Sequence, residues 1–144
     1  ADRVCLLGTV RCLDPSLKET LPLWIEDIVQ GICSVFGAKA LVKYRRIAPS
    51  VYNDPGLTSL LEKASISQLG NANVVRLEKP SLGAEDFAEL IQEVPGTMFR
   101  LGVAGSNGCA PLHNGNFCPE ESCLGFGIKV IMASLLEWMN ENSC

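Results

Sequence analysis

Apolar positions follow two rhythms along this chain, a period near two and a period near 3.6, and the alternation between them predicts the elements. Val4 to Leu13 is dense in branched and apolar residues and predicts a strand. Asp14-Pro15 closes it with a capping acid and a residue suited to a first helical turn. A long helix begun there would meet Pro22, which lacks an N–H and clashes one turn back. The main helix is therefore expected from Thr20 as cap, with Pro22 in its first turn. Trp24, Ile25, Ile28, Ile32 and Val35/Phe36 then recur at three- and four-residue steps, and Gly37 marks the end. Ala38 to Ile47 predicts a second strand, in which Leu41, Lys43 and Arg45 alternate with Val42, Tyr44 and Arg46. Strand, helix and strand with short links form half of a ferredoxin-like α+β unit. The linker at 48–53 separates it from the rest, giving expected domains of 1–49 and 50–144.

The second part opens with another cap and first-turn proline, Asp54-Pro55. Leu57, Leu60, Leu61, Ala64 and Leu69 form a helical stripe closed by Gly70. A short strand is expected at 74–77, and a short helix at 84–94 with Phe87, Leu90, Ile91 and Val94 on one side. Pro95-Gly96 stops that helix. Residues 97–103 predict a strand covered on both faces, and 104–118 a long loop rich in Gly and Asn. The last helix, expected at about 119–140, carries Leu124, Ile128, Ile131, Leu135 and Trp138. Strands alternating with helices predict an α/β layer. The expected fold class is therefore α/β: half of a ferredoxin-like lid, then part of an α/β domain.

Composition adds limits. The chain is 47% hydrophobic and 19% charged, with a slightly positive mean hydropathy. It is apolar enough for a core and far from the disordered class. A net charge of −4, with Arg45-Arg46 no more than a doublet, argues against a nucleic-acid partner. No run approaches the roughly 20 apolar residues of a spanning helix, so no membrane partner is expected. Seven cysteines is a high count, but it is odd and irregularly spaced. With no signal-peptide pattern, most are expected as reduced, buried thiols of a cytoplasmic protein. Cys118 and Cys123, beside the histidine, are the pair of interest. Because the strand pattern begins already at Val4, the chain is expected to be a piece of something longer.

Three stretches offer chemistry. His113, the single histidine, lies in a Gly/Asn loop between an expected buried strand and a helix N-terminus. It reads either as a solvated or structural residue or as a ligand for a divalent metal. Glu85-Asp86, behind Ser81-Leu82-Gly83, reads either as acids in the first turn of a capped helix or as part of a substrate loop. In the second reading, amides of the glycine-bearing turn would bind a carboxylate or carbonyl. Cys109, His113, Cys118 and Cys123 together offer three thiols and an imidazole, but without the Cys-x2-Cys knuckle of structural zinc sites.

A family resemblance joins these stretches. Gly8-Thr9-Val10-Arg11, Asp14-Pro15, Phe36-Gly37-Ala38, Tyr44-Arg45-Arg46 and Asn53-Asp54-Pro55 carry its first half. Ser81-Leu82-Gly83-Ala84-Glu85-Asp86-Phe87, Val94-Pro95-Gly96, Phe99-Arg100-Leu101-Gly102 and Leu112-His113-x3-Phe117-x3-Glu121-x2-Leu124-x2-Gly127 carry the second. In this order and at these separations, residues 7–139 resemble the C-terminal third of the two-domain metallo-aminoacylases: hippurate hydrolase, auxin-conjugate hydrolase and related carboxypeptidases.

The resemblance implies that residues 1–49 are the second half of a lid, or dimerisation, domain, and that 50–144 close a catalytic metallohydrolase domain. It places His113 on the family's last metal ligand, and Gly83, Ala84 and Glu85 on the loop lining the substrate site. Two divalent ions, zinc or manganese, would hold the hydroxide that attacks the amide of an N-acyl amino acid or small peptide. The His/Cys-Gly-His-Asp ligand motif, the mid-chain histidine and the Glu-Glu pair carrying the general base have no counterpart here. The resemblance therefore assigns this chain no catalytic residue, an incomplete metal site and no expected activity alone. The rival expectation is a non-catalytic dimerisation or interaction module, and in either reading a homo-oligomer is expected.

Overall fold

The computed structural model describes residues 2–143. Its helices form where local signals are densest. A 3-10 turn, Pro15–Lys18, is capped by Asp14, whose carboxylate accepts from the Ser16 amide at 2.9 Å. Helix α1, Thr20–Val35, follows directly, with Pro22 in its first turn where no N–H is needed. It ends in a Schellman motif: Gly37, at φ 64°, donates to Ser34, and the Ala38 amide donates to the Cys33 carbonyl. Helix α2 is Pro55–Leu69, α3 the single turn Phe87–Leu90, and α4 Cys123–Glu141.

The stretches expected as strands, 4–13, 38–47, 74–77 and 97–103, form no ladder. Among the described residues the β pairing is one isolated bridge, Gly105 to Gly108. The expected α/β class, with half of a ferredoxin-like lid followed by an α/β domain, is thereby corrected: the chain is helical. The physical reason is locality. Each helix closes its hydrogen bonds within the segment, whereas alternation shows only that a segment suits a pleated surface, and a strand also needs a neighbour.

Contacts divide the chain into two units: the chain up to Val51 with Glu78–Glu93, and Tyr52–Leu77 with the chain from Val94 onward. In the first, residues 38–50 are tied by side chains to α1 and its flanks. Gln30 donates to the Ala40 carbonyl, and Arg46 bonds Glu19 at 2.6 Å and the Lys18 carbonyl. Ser50 bonds the Cys12 carbonyl. The Arg46 guanidinium holds the Glu19 carboxyl below its ordinary range. The apolar stripe of α1 is not covered: Trp24 is 49% exposed, Ile28 61% and Ile32 57%.

In the second unit α2 packs along α4. Leu60, Ala64 and Ser65 are buried on α2, and Cys123, Gly127 and Val130 on α4. The buried face of α4 is thus the one that carries Cys123, Gly127 and Val130. The expected core stripe of Leu124, Ile128, Ile131, Leu135 and Trp138 points away and is exposed. A Cβ at Gly127 would sit 3.0 Å from Leu101 Cδ2, so a larger residue there requires that side chain to shift by a few tenths of an ångström. By length and composition alone α4 could cross a membrane, which amends the expectation that no run approaches that length. The helix also carries Lys129 and Glu137 and packs on α2.

Candidate functional site

His113 sits in a loop built from successive turns. The Asn114 amide donates to the Pro111 carbonyl, the Phe117 amide to the Asn114 carbonyl, and the Asn116 amide to Asn114 Oδ1 at 2.9 Å. His113 occupies the third position of the first turn with φ 69°, where the left-handed backbone ordinarily selects Gly or Asn. Its side chain is exposed, so packing does not account for the histidine. The loop is anchored at its far end by the Glu120 amide, which donates to the Val103 carbonyl at 2.9 Å.

The loop at 81–85 belongs to the first unit. The Arg11 guanidinium donates to the Leu82 carbonyl at 2.6 Å, and Ser81 Oγ accepts from the Gly83 amide at 3.1 Å. That second bond occupies one of the amides the glycine-bearing turn offered to a substrate. Ala84 and Glu85 are exposed, and the Glu85 carbonyl accepts from the Ala88 amide at the start of α3. The helix expected over 84–94 contracts to the single turn of α3. Asp86 precedes it in right-handed helical geometry and makes no side-chain cap.

A metal is the cofactor the resemblance implies, and the donors can be tested against it. Among the described residues no three His, Cys, Asp or Glu side chains cluster to hold an ion. Cys109, His113, Cys118 and Cys123 are therefore not gathered into a zinc site. A dinuclear site needs several ligands at fixed geometry, so the residues present do not fit one. His113 stands as an isolated candidate ligand.

The described cysteines are free thiols, as expected, but depart from the expected burial. Of the six described, all are free thiols, and Cys123 is buried while Cys5 and Cys118 are exposed. The thiol near Cys118 belongs to Cys109, which donates to the Cys118 carbonyl at 3.2 Å. They stand nine positions apart, so periodicity gave no signal.

The matching motif Asn53-Asp54-Pro55 has a structural role that the sequence did not reveal. Asn53 Nδ2 donates to the Met98 carbonyl at 2.9 Å and Asn53 Oδ1 accepts from the Met98 amide at 3.0 Å. Asp54 caps α2 through the Leu57 amide at 2.8 Å, while its own amide donates to the Gly96 carbonyl. The motif therefore joins the start of α2 to residues 96–98. Arg76, beyond the end of α2, bonds both carboxylate oxygens of the half-buried Glu62 on α2 and holds its carboxyl below the ordinary range.

Comparison with known proteins places the sequence. The chain is 42% identical over 143 residues to the probable hydrolase sll0100 of Synechocystis sp., covering 97% of this chain and 36% of that protein. It is 35% identical over 123 residues to thermostable carboxypeptidase 1 of Saccharolobus solfataricus, covering 83% of this chain and 30% of the relative. It is 31% identical over 142 residues to an N-acetyldiaminopimelate deacetylase of Geobacillus sp., covering 99% and 36%. The chain thus spans about a third of the length of these curated relatives. No solved structure matches it. The sequence profile of peptidase family M20/M25/M40 matches residues 7–137, and the chain belongs to that family.

Proposed function

We propose that this chain is the closing part of a longer metal-dependent amidohydrolase that cleaves the amide bond of N-acyl amino acids or small peptides. In this reading residues 1–49 come from the lid and 50–144 from the catalytic domain. His113 supplies one ligand to a divalent metal site, zinc or manganese, completed by residues outside the chain. Gly83, Ala84 and Glu85 line the substrate loop. The chain alone has no turnover, the protein is a homo-oligomer, and it works in the cytoplasm, with neither nucleic acid nor membrane as partner. The observation carrying the proposal is His113 itself. A non-glycine residue held at positive φ and exposed to solvent is a strained position, and such positions gather at functional sites. Relatives named carboxypeptidase and deacetylase agree in reaction class.

The second reading, a non-catalytic interaction module, is favoured by the uncovered α1 stripe of Trp24, Ile28 and Ile32. One experiment separates the two. The longer protein and this chain are each incubated with N-acetyl and N-benzoyl amino acids plus zinc or manganese. Metal-dependent release of free amino acid by the longer protein, and none by the chain, is the expected result. Turnover by neither supports the interaction module. Turnover by the chain itself overturns the need for residues outside it.

A further inference from the structure

We propose that Cys109 and Cys118 form a redox-sensitive staple that closes the His113 loop. The Cys109 thiol lies 3.2 Å from the Cys118 carbonyl oxygen, an atom two covalent bonds from the Cα that bears the second thiol. Both sulfurs are free, with Cys118 exposed and Cys109 half-buried. The chain between them is the turn-built loop around His113, and Leu112 to Asn116 are exposed. A disulfide needs Cα atoms roughly 4.4–6.8 Å apart in a defined orientation, and a solvent-facing loop can adjust to that demand. Cys123, the third thiol in this part of the chain, is 7% exposed in the first turn of α4 and is shielded from exchange.

The oxidant is a small-molecule disulfide such as oxidised glutathione. The exposed Cys118 sulfur, as thiolate, attacks one glutathione sulfur; a mixed disulfide forms and one glutathione thiolate leaves. Cys109, as thiolate, then attacks the Cys118 sulfur and expels the second glutathione thiolate. The two protein thiols lose two electrons to the glutathione disulfide, and their two protons end on the two departing glutathiones. Excess small thiol runs the same steps backwards, the reversible behaviour of cytoplasmic redox pairs. The ring closes at both ends of the turn series that sets the backbone of His113.

The test is a thiol map. The protein is exposed to oxidised glutathione, alkylated without reduction, and cut by trypsin after Arg100 and Lys129 and by a glutamate-specific protease between Glu120 and Glu121. The second cut separates Cys123 from the other two. The expected product is a 101–120 fragment with no alkyl group, lighter by two hydrogens than the dithiol, which gains two alkyl groups after thiol reduction. Cys123→Ser must leave the ring intact, and Cys109→Ser must leave Cys118 as a glutathione adduct. Two alkyl groups on the unreduced wild-type fragment, a glutathione adduct without ring closure, or a bridge to Cys123 would each overturn the staple. The wild-type map decides the matter even if a serine variant fails to fold.

Discussion

At His113 the backbone sits at φ 69°, where a side chain's Cβ crowds the following carbonyl at a cost of about 1–2 kcal/mol. Glycine removes that crowding but adds about 0.5–1 kcal/mol of chain entropy to lose on folding. His113→Gly is therefore expected to raise stability by about 0.5 kcal/mol, and His113→Ala to leave it nearly unchanged. Both substitutions are expected to lower bound metal per subunit and turnover in the longer protein. Thermal melting, metal content and turnover measured together check this. Normal metal content and turnover in both variants would refute the ligand assignment, and a stability loss in both would show the imidazole to be structural. The sequence marked His113 by its isolation in a Gly/Asn loop. Its left-handed turn position was not legible, because the turn is set by hydrogen bonds from neighbouring residues.

At the scale of elements, the helices were legible and their environments were not. Asp54-Pro55 before a leucine stripe signalled the start of α2, and Gly37 and Gly70 signalled two ends; all are local devices. Asp54→Ala removes the bond to the Leu57 amide, and such a cap is typically worth about 1 kcal/mol. The loss here is expected at about 1 kcal/mol, because the Asn53 side chain and the Asp54 backbone amide, which tie α2 to residues 96–98, are untouched by the substitution. Chemical denaturation measures it. Asp54→Asn should recover most of the loss, since an amide oxygen can accept the same bond. A loss in Asp54→Asn equal to that in Asp54→Ala would show that the cap is not the source. For α4 the sequence reading chose the wrong face. Large apolar side chains marked the stripe, but the buried residues are Cys123, Gly127 and Val130 on α4 and Leu60, Ala64 and Ser65 on α2.

For the whole molecule, exposed apolar side chains set the expectation. Trp24, Ile28 and Ile32 on α1 and Leu124, Ile128 and Ile131 on α4 all face solvent. Apolar area in water favours association at roughly 25 cal/mol per Å² buried. The chain is expected to form dimers or larger species at micromolar concentration, and Trp24→Glu with Ile28→Glu should shift it toward monomer. Sedimentation velocity reads both, and a clean monomer for the unaltered chain across that range would contradict the expectation.

The sequence by itself determined the local features: where α1, α2 and α4 run, where Asp54 caps, where Gly37 and Gly70 end helices, and through its motifs the family. These depend on interactions within a few residues, or on the order of motifs along the chain, and both are written in one dimension. Only the tertiary structure decided that the strand-like stretches form no ladder and that α4 buries the face of Cys123, Gly127 and Val130. It alone showed that Asn53 clasps Met98 and that Cys109 lies against Cys118. Each of these requires a partner far away in sequence, and alternation or periodicity specifies a surface without naming what meets it.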